Sequence, residues 1–160
     1  MGIFTAGLLH DFGKIFLLEN YPEIYGQIHA GDSDRKLPLF ELEEERFGIN
    51  HASIGEYLAE NWNLPETLVE AIAFHHHPLS APNHSQLAAL VGLADYLYYN
   101  SHPEELDLKY SSSLCPELTY GHWTVLHELQ YDLNKERLEV MAQEASVLIK
   151  ENQDLLKILD

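Results

Sequence analysis

The apolar residues of this chain recur at the three- and four-residue spacing of α-helices, and this spacing is the strongest constraint on its fold. Valine, isoleucine and threonine do not gather into alternating runs, and no hairpin turn separates such runs. We therefore predict an all-α fold. The predicted helices are, in chain order, 3–9, 14–30 with a bend near Pro22, 39–47, 50–62, 65–76, 85–99, 120–133 and 135–159.

Single residues mark several helix ends in this pattern. Gly48 follows the predicted helix 39–47 in the position of a C-terminal cap, where glycine accepts a left-handed backbone at little steric cost. Asn50 can cap the next helix with its side chain, and Pro65 suits the first turn of the one after it. The helices 50–62 and 65–76 are thus joined by a tight turn and should run antiparallel.

Composition limits the partners of the chain. Its 160 residues, 46% of them hydrophobic, suffice to bury one core. The 26 acidic and 9 basic residues leave a net charge of −17, so we expect neither a nucleic-acid partner nor an anionic membrane surface. A small phosphorylated ligand stays compatible if metal ions locally reverse the sign of the charge. The single cysteine and the lack of an apolar run of roughly 18–20 residues predict a cytoplasmic protein.

Polar side chains fall at positions where the helical period calls for apolar ones. They are Asp11 (after Phe4, Gly7 and Leu8), His75 and His76 (after Leu68 and Ile72) and Asp95 (after Leu87, Val91 and Ala94). Burying such groups without partners would cost several kcal/mol, so partners are required. A divalent metal ion is one such partner.

Spacing along the antiparallel pair brings two of these sites together. His51 lies twelve residues before Asn63 and His75 lies twelve after it. At a rise of about 1.5 Å per residue, both lie roughly 18 Å from the turn and hence at the same level. Asp95 is not placed by this argument, because the loop 78–84 can start the next helix at several heights.

Each of these residues also has a purely structural interpretation. A lone inward histidine is more often a hydrogen-bonded core residue than a ligand. Asp95 can bond a backbone amide, and Asp11 can end its helix. Four helices that each direct imidazole or carboxylate groups inward are harder to explain structurally, and the set together favours a metal site.

Five segments of the sequence resemble one known superfamily. The segments are GLLHDFGK (7–14), GINHASIG (48–55), WNLPE (62–66), AIAFHHHP (71–78) and LAD (93–95). Together they resemble the HD superfamily of metal-dependent phosphohydrolases, and most closely its HDOD branch, the HD-related output domains of bacterial signalling proteins. The resemblance covers about residues 5 to 98 and is specific as a combination.

The resemblance implies a helical bundle with one or two metal ions, which can be Mn, Fe, Mg or Zn. By motif position, His10, Asp11 and Asp95 would hold one ion. Asp11 would bridge to a second ion held by His51, His75 and His76. Asp11 and Lys14 would carry the chemistry in a catalytic member, where Lys14 would face a substrate phosphate and the metal ions would neutralise phosphoryl charge.

The sequence departs from the family pattern in two ways. Family members have a further histidine upstream of the HD pair, and HDOD domains begin with a helical subdomain of roughly a hundred residues. We therefore expect an HD-superfamily-like bundle that lacks the N-terminal helical subdomain. His77-Pro78-Leu79-Ser80 also replaces the Gly-Tyr-Pro motif of cyclic-di-GMP phosphodiesterases, which disfavours that substrate.

We divide the chain into two parts. Residues 1–100 form the helical core with the metal site, and residues 101–160 form an irregular segment and a helical pair that packs on the core or extends from it. The last helix repeats inward positions at three and four residues: Leu138, Met141, Ala145, Leu148, Asn152, Leu155 and Leu159. This repeat fits a coiled coil with a protein partner or a second copy, and equally an amphipathic helix packed on its own domain.

Two functions are compatible with these features. We favour a signal-transduction module of the HDOD type that retains a divalent metal site. The alternative is an active metal-dependent phosphohydrolase acting on a nucleotide or another phosphate ester, and the sequence leaves the enzymatic activity open. We interpret the remaining histidines as structural or solvated, and the acidic run of Glu41, Glu43, Glu44 and Glu45 as a solvated helix face.

Overall fold

The computed structural model describes residues 2–31, 37–101, 118–131 and 133–156, and all regular structure in those ranges is helical. The elements are α1 (Gly2–Leu9), α2 (Phe12–Asn20), α3 (Pro22–Gly31), α4 (Leu39–Phe47), α5 (His51–Asn61), α6 (Glu66–Phe74), a 3₁₀ turn (Pro78–Ser80), α7 (Ser85–Ser101), α8 (Tyr120–Glu128) and α9 (Lys135–Leu156). The predicted all-α fold is confirmed. None of the described helices combines the length and apolarity needed to cross a bilayer.

Most helix ends follow the local signals in the sequence. Gly48 adopts φ 71° and closes α4, and the Asn50 side chain accepts a hydrogen bond of 3.0 Å from the Ser53 N–H at the start of α5. The predicted helix 14–30 is instead two helices that meet at Tyr21. The residue before a proline is disfavoured in the α conformation, and Tyr21 precedes Pro22.

The α5–α6 pair lies at the centre of the bundle. α2 packs on α5, while α1 and α7 pack on α6, and α8 and α9 pack on α7. The buried core residues form three clusters. The first joins α2, α3, α4 and α5, the second α1, α6 and α7, and the third α7, α8 and α9. Their members are, in that order, Leu17, Tyr25, Ile28, Leu39, Leu42 and Ile54; Ala6, Leu68, Ala71 and Val91; and Ala89, Leu93, Val125, Leu126 and Leu138. The division of the chain at residue 100 stays a prediction.

The predicted inward stripe of α1 is wrong. Phe4 is 78% exposed and Leu8 is 71% exposed, whereas Ala6 is fully buried. The small Ala6 side chain forms the contact with α6 and α7, which leaves the bulky residues of α1 outside. Asp11 lies beyond the last residue of α1, so no stripe on α1 determines its position.

A buried carboxylate fixes the loop between α6 and α7. Glu70 of α6 accepts hydrogen bonds from the Asn83 N–H at 2.9 Å and from the His84 N–H at 2.7 Å. These two amides directly precede α7, where backbone N–H groups lack partners within the helix. Glu70 therefore determines the height at which α7 begins, and with it the position of Asp95.

Gly13 permits close contact between α2 and α5. A Cβ atom at this position would collide with the carbonyl oxygen of His51, which is backbone and cannot move aside. The contact holds the start of α2, and with it the adjoining Asp11, next to the first residue of α5.

We predict that Gly13→Ala destabilises the protein, because the added methyl group forces α2 away from α5. The cost should be about 1–3 kcal/mol, the usual range for overpacking. Gly26→Ala in α3 is the matched control, since a Cβ there meets nothing within 4 Å. The control should be neutral or stabilising by up to about 1 kcal/mol. Urea unfolding of the two variants measures both values, and equal stabilities would contradict the close contact.

We also predict a pH-dependent contribution from Glu70. Burial alone would raise its pKa, but the hydrogen bonds from Asn83 and His84 outweigh burial and hold the pKa below the ordinary 4.5. Glu70→Gln should cost about 1–2 kcal/mol at neutral pH. The difference from wild type should be complete above pH 4.5 and disappear as pH falls through the lowered pKa. Urea unfolding at several pH values tests this, with exposed Glu19→Gln as control, and a pH-independent difference would refute it.

Candidate metal centre

Four chain segments bring the six predicted ligands together. His10 and Asp11 lie at the junction of α1 and α2, and His51 is the first residue of α5. His75 and His76 follow the end of α6, and Asp95 lies within α7. His51 and His75 lie at the same level of the α5–α6 pair, as predicted from their spacing, and their ring centroids are 5.5 Å apart.

The donor atoms lie at distances typical of a shared coordination sphere. The Nε2 atom of His10 lies 3.4 Å from Asp11 Oδ2 and 3.5 Å from Asp95 Oδ1. His51 Nε2 lies 3.3 Å from Asp11 Oδ1 and 3.0 Å from His76 Nε2. Metal–ligand bonds of about 2.0–2.2 Å place neighbouring donors about 3.0–3.5 Å apart, so these separations fit a bound ion.

Three imidazoles are oriented by acceptors on their Nδ1 side. His10 Nδ1 lies 2.7 Å from the Gly7 carbonyl oxygen, and His75 Nδ1 lies 2.8 Å from that of Ile72. The Nδ1 atom of His51 faces the carboxylate of Glu43. Because carbonyls and carboxylates only accept, Nδ1 carries the proton in each neutral ring. The lone pair on Nε2 then points towards the cluster that the six predicted ligands form, as in metal-binding histidines.

Several atoms of the cluster that could coordinate a metal ion lack hydrogen-bond partners. Among the described residues, His10 Nε2, His75 Nε2 and Asp11 Oδ1 are buried without a hydrogen-bond partner. Leaving a buried polar atom unpaired costs about 1–3 kcal/mol. Lone pairs on all three atoms face a common region, and two triads there, His51 with His75 and His76 and His10 with Asp11 and His75, have donor atoms within 4.8 Å of one another. The chemistry of this donor set fits a divalent cation.

The electrostatics favour neutral imidazoles at His75 and His76 beside an ionised Asp11. Burial, together with the neighbouring imidazoles, holds the pKa values of His75 and His76 well below the ordinary 6.5. Burial would raise the pKa of Asp11, but the charges of Lys14 and the surrounding histidines outweigh it and hold that pKa well below its usual range. Both tendencies keep His75, His76 and Asp11 in the protonation states that metal coordination requires. Burial would lower the pKa of His10, but the neighbouring carboxylates outweigh it and hold that pKa above 6.5, so His10 would lose a proton on binding an ion.

The cluster opens to solvent on one side. The side chains of His51 and His75 are 1% and 0% exposed, whereas those of Asp11 and Lys14 are 28% and 19% exposed. Lys14 Nζ donates a hydrogen bond of 2.6 Å to Asp11 Oδ2. A ligand entering the site would therefore meet Asp11 and Lys14 first.

The structure corrects the sequence interpretation of Glu43. We assigned it to a solvated acidic run, and Glu41, Glu44 and Glu45 are indeed exposed, but Glu43 is fully buried beside His51. It lies four residues after the buried Leu39, so the helical period that identified the other inward polar groups also marks Glu43. The abundance of adjacent glutamates obscured this signal.

His122 supports the site from behind. Its Nδ1 accepts from the Thr119 N–H, so its Nε2 carries the proton and donates to the carbonyl oxygen of His75 at 2.7 Å. A Cβ at Gly92 would collide with both groups of this bond, which explains the glycine there. His122 is structural, as predicted, and it also contacts the backbone of a candidate ligand.

The other histidines lie outside the cluster. His77 is exposed, with its ring 5.2 Å from that of Phe40. His127 is exposed and His84 is half-buried. The side chains of His29 and His102 lie outside the described residues.

Comparison with known proteins places the site in a family context. A model of the HDOD domain family matches residues 2–78. An uncharacterized protein of Treponema pallidum (strain Nichols) is 35% identical over 79 residues, which are 49% of this chain and 15% of that protein. The fold is similar to the crystal structure of a protein from Shewanella amazonensis SB2B, provisionally described as a phosphohydrolase, with a TM-score of 0.59 and 24% identity. The similarity covers 92% of this chain and 50% of the Shewanella chain.

The chain therefore spans half or less of the length of either relative. The matched family segment contains His10, Asp11, His51, His75 and His76, whereas Asp95 follows it. Residues 2–78 of this chain are therefore similar to the HDOD domain family.

Proposed function

We propose that this chain is a signal-transduction module of the HDOD type that binds divalent metal ions at its His/Asp cluster. One observation carries the metal proposal: three imidazoles are oriented by fixed acceptors at Nδ1, and their Nε2 atoms converge on Asp11. A histidine that served packing alone would not require a second buried histidine within 4 Å of its lone pair. The signalling role is supported by the family assignment of residues 2–78.

The geometry supports a division of the ligands around Asp11. Its Oδ2 atom faces His10, which also lies next to Asp95, and its Oδ1 atom faces His51 and His75. His10, Asp11 and Asp95 would hold one ion, and His51, His75 and His76 a second, with Asp11 shared. Four imidazoles favour a first-row transition metal such as Mn, Fe or Zn over Mg²⁺, which prefers oxygen ligands.

We predict that the purified protein contains one or two equivalents of a transition metal. His51→Ala should weaken metal affinity at least about 10-fold. It removes a residue that would contact the ion directly, and even the loss of an outer-shell hydrogen-bond partner lowers affinity by that factor. His77→Ala is the matched control, since His77 is adjacent to the ligands in sequence but exposed. Elemental analysis and calorimetric titration with Mn²⁺ and Zn²⁺ provide the measurement.

Equal metal content in wild type, His51→Ala and His77→Ala would contradict this site. Binding by His77→Ala that is as weak as that of His51→Ala would point instead to non-specific histidine binding.

The solvent-facing position of Asp11 and Lys14 favours a second function, hydrolysis of a phosphate ester. Bound divalent ions would supply positive charge that polarises the ester and lowers the pKa of water. Lys14 lies at the open side of the cluster, where its ammonium group would pair with a phosphoryl oxygen. Asp11, shared between the donor groups, would hold the ion next to the reacting phosphorus.

We predict that the manganese-loaded protein hydrolyses bis-p-nitrophenyl phosphate if this second function holds. Lys14→Met should lower kcat/KM about 100-fold, as expected when one charged transition-state contact is removed. Lys135→Met is the control, because Lys135 lies exposed at the start of α9. Absence of turnover on this ester and on a panel of nucleotides would exclude the hydrolase and leave the binding module.

The remaining partners stay proposals. A small phosphorylated ligand would enter where Asp11 and Lys14 are exposed. A protein partner or a second copy would contact α9, where Leu138 is buried in the domain core but Val147 and Leu148 are exposed. The side chains of Asn152 and Leu155, and all of Leu159, lie outside the described residues.

A further inference from the structure

Glu43 is a buried carboxylate behind the cluster. Its Oε2 atom accepts from the backbone N–H of His51 at 2.9 Å and from the Nδ1 of the same residue at 2.5 Å. The other oxygen, Oε1, accepts from the Tyr25 hydroxyl at 3.0 Å. All three donors and the carboxylate are buried.

The position of Glu43 relates it to the proposed metal ligands without making it one. It contacts the Nδ1 side of the His51 ring, whereas Asp11 and His76 face the Nε2 side. Because the two ring nitrogens point in different directions, Glu43 cannot reach the ion that Nε2 would hold. Its effect on the site must pass through the imidazole.

We infer that Glu43, oriented by Tyr25, is a positioning residue that fixes the tautomer and ring orientation of His51 for metal binding. The inference rests on the metal site proposed above. By accepting the Nδ1 proton, the carboxylate leaves the Nε2 lone pair facing Asp11. Its negative charge increases electron donation by the imidazole, as in carboxylate–histidine–metal triads.

One oxygen of Glu43 holds both the backbone and the side chain of His51. A rotation of the ring would break the Nδ1 bond, and a shift of the first turn of α5 would break the backbone bond. Tyr25, from α3, holds the other oxygen and prevents the carboxylate from turning. Three helices thus determine the direction of one lone pair.

Two variants separate this role from a purely structural one. Glu43→Gln keeps an oxygen that can accept from His51 but removes the charge, so the fold should be retained and metal affinity should fall about 10-fold. Glu43→Leu removes the acceptor, and affinity should fall about 10- to 100-fold. Glu41→Gln and Glu41→Leu are the controls, because Glu41 is exposed on the same helix, and neither should change affinity.

The decisive readout does not require bound metal. Nitrogen-15 NMR of the metal-free protein reports which ring nitrogen of His51 carries the proton. We expect the Nδ1–H form in wild type and in the Glu41 variants, and its loss in Glu43→Leu. A wild-type His51 protonated on Nε2 would overturn the inference.

Affinity measurements complete the test. Wild-type affinity in a folded Glu43→Leu overturns the positioning role alone, and wild-type affinity in Glu43→Gln overturns only the contribution of the charge. If Glu43→Leu does not fold, the tautomer of His51 in the wild-type protein decides. A wild-type chain that binds neither Mn²⁺ nor Zn²⁺ overturns the metal site and the positioning role together.

Discussion

The Nδ1 hydrogen bonds of the His10, His51 and His75 imidazoles are the interactions on which the rest of the site depends. Each bond keeps the ring proton on Nδ1, on the side away from the cluster. The Nε2 lone pairs are therefore directed into the cluster. Without these acceptors, the rings would be free to rotate or change tautomer, and their Nε2 lone pairs would no longer be directed towards Asp11. The acceptors are two backbone carbonyls and one carboxylate, and their positions are set by helices that the apolar cores hold in place.

Close helix contacts make this convergence possible. The glycines at 13 and 92 remove the side-chain layer that normally separates packed helices, and each lies beside a residue that carries a candidate ligand. The site is therefore a product of the packing of α2 on α5 and of α7 on α6. Domains of the HDOD family that share this packing can be examined for the same pair of close contacts.

Much of this arrangement could be predicted from sequence, and the failures have physical causes. The short turn between α5 and α6 fixed the relative level of His51 and His75, because local spacing determines the geometry of two adjacent helices. Asp95 could not be placed, since the start of α7 depends on Glu70, which contacts residues thirteen and fourteen positions away. The inward face predicted for α1 was wrong because a two-turn helix can pack through one small residue. Periodicity alone does not show which face of such a helix is buried.

The bond from His122 to the His75 carbonyl has a consequence for how the C-terminal helices relate to the candidate ligands. It links α8 directly to His75 at the end of α6, and Gly92 leaves room for it, because a Cβ there would collide with both bonded groups. Because α8 shares an apolar core with α9, the packing of the C-terminal helices bears on where the backbone of His75 lies.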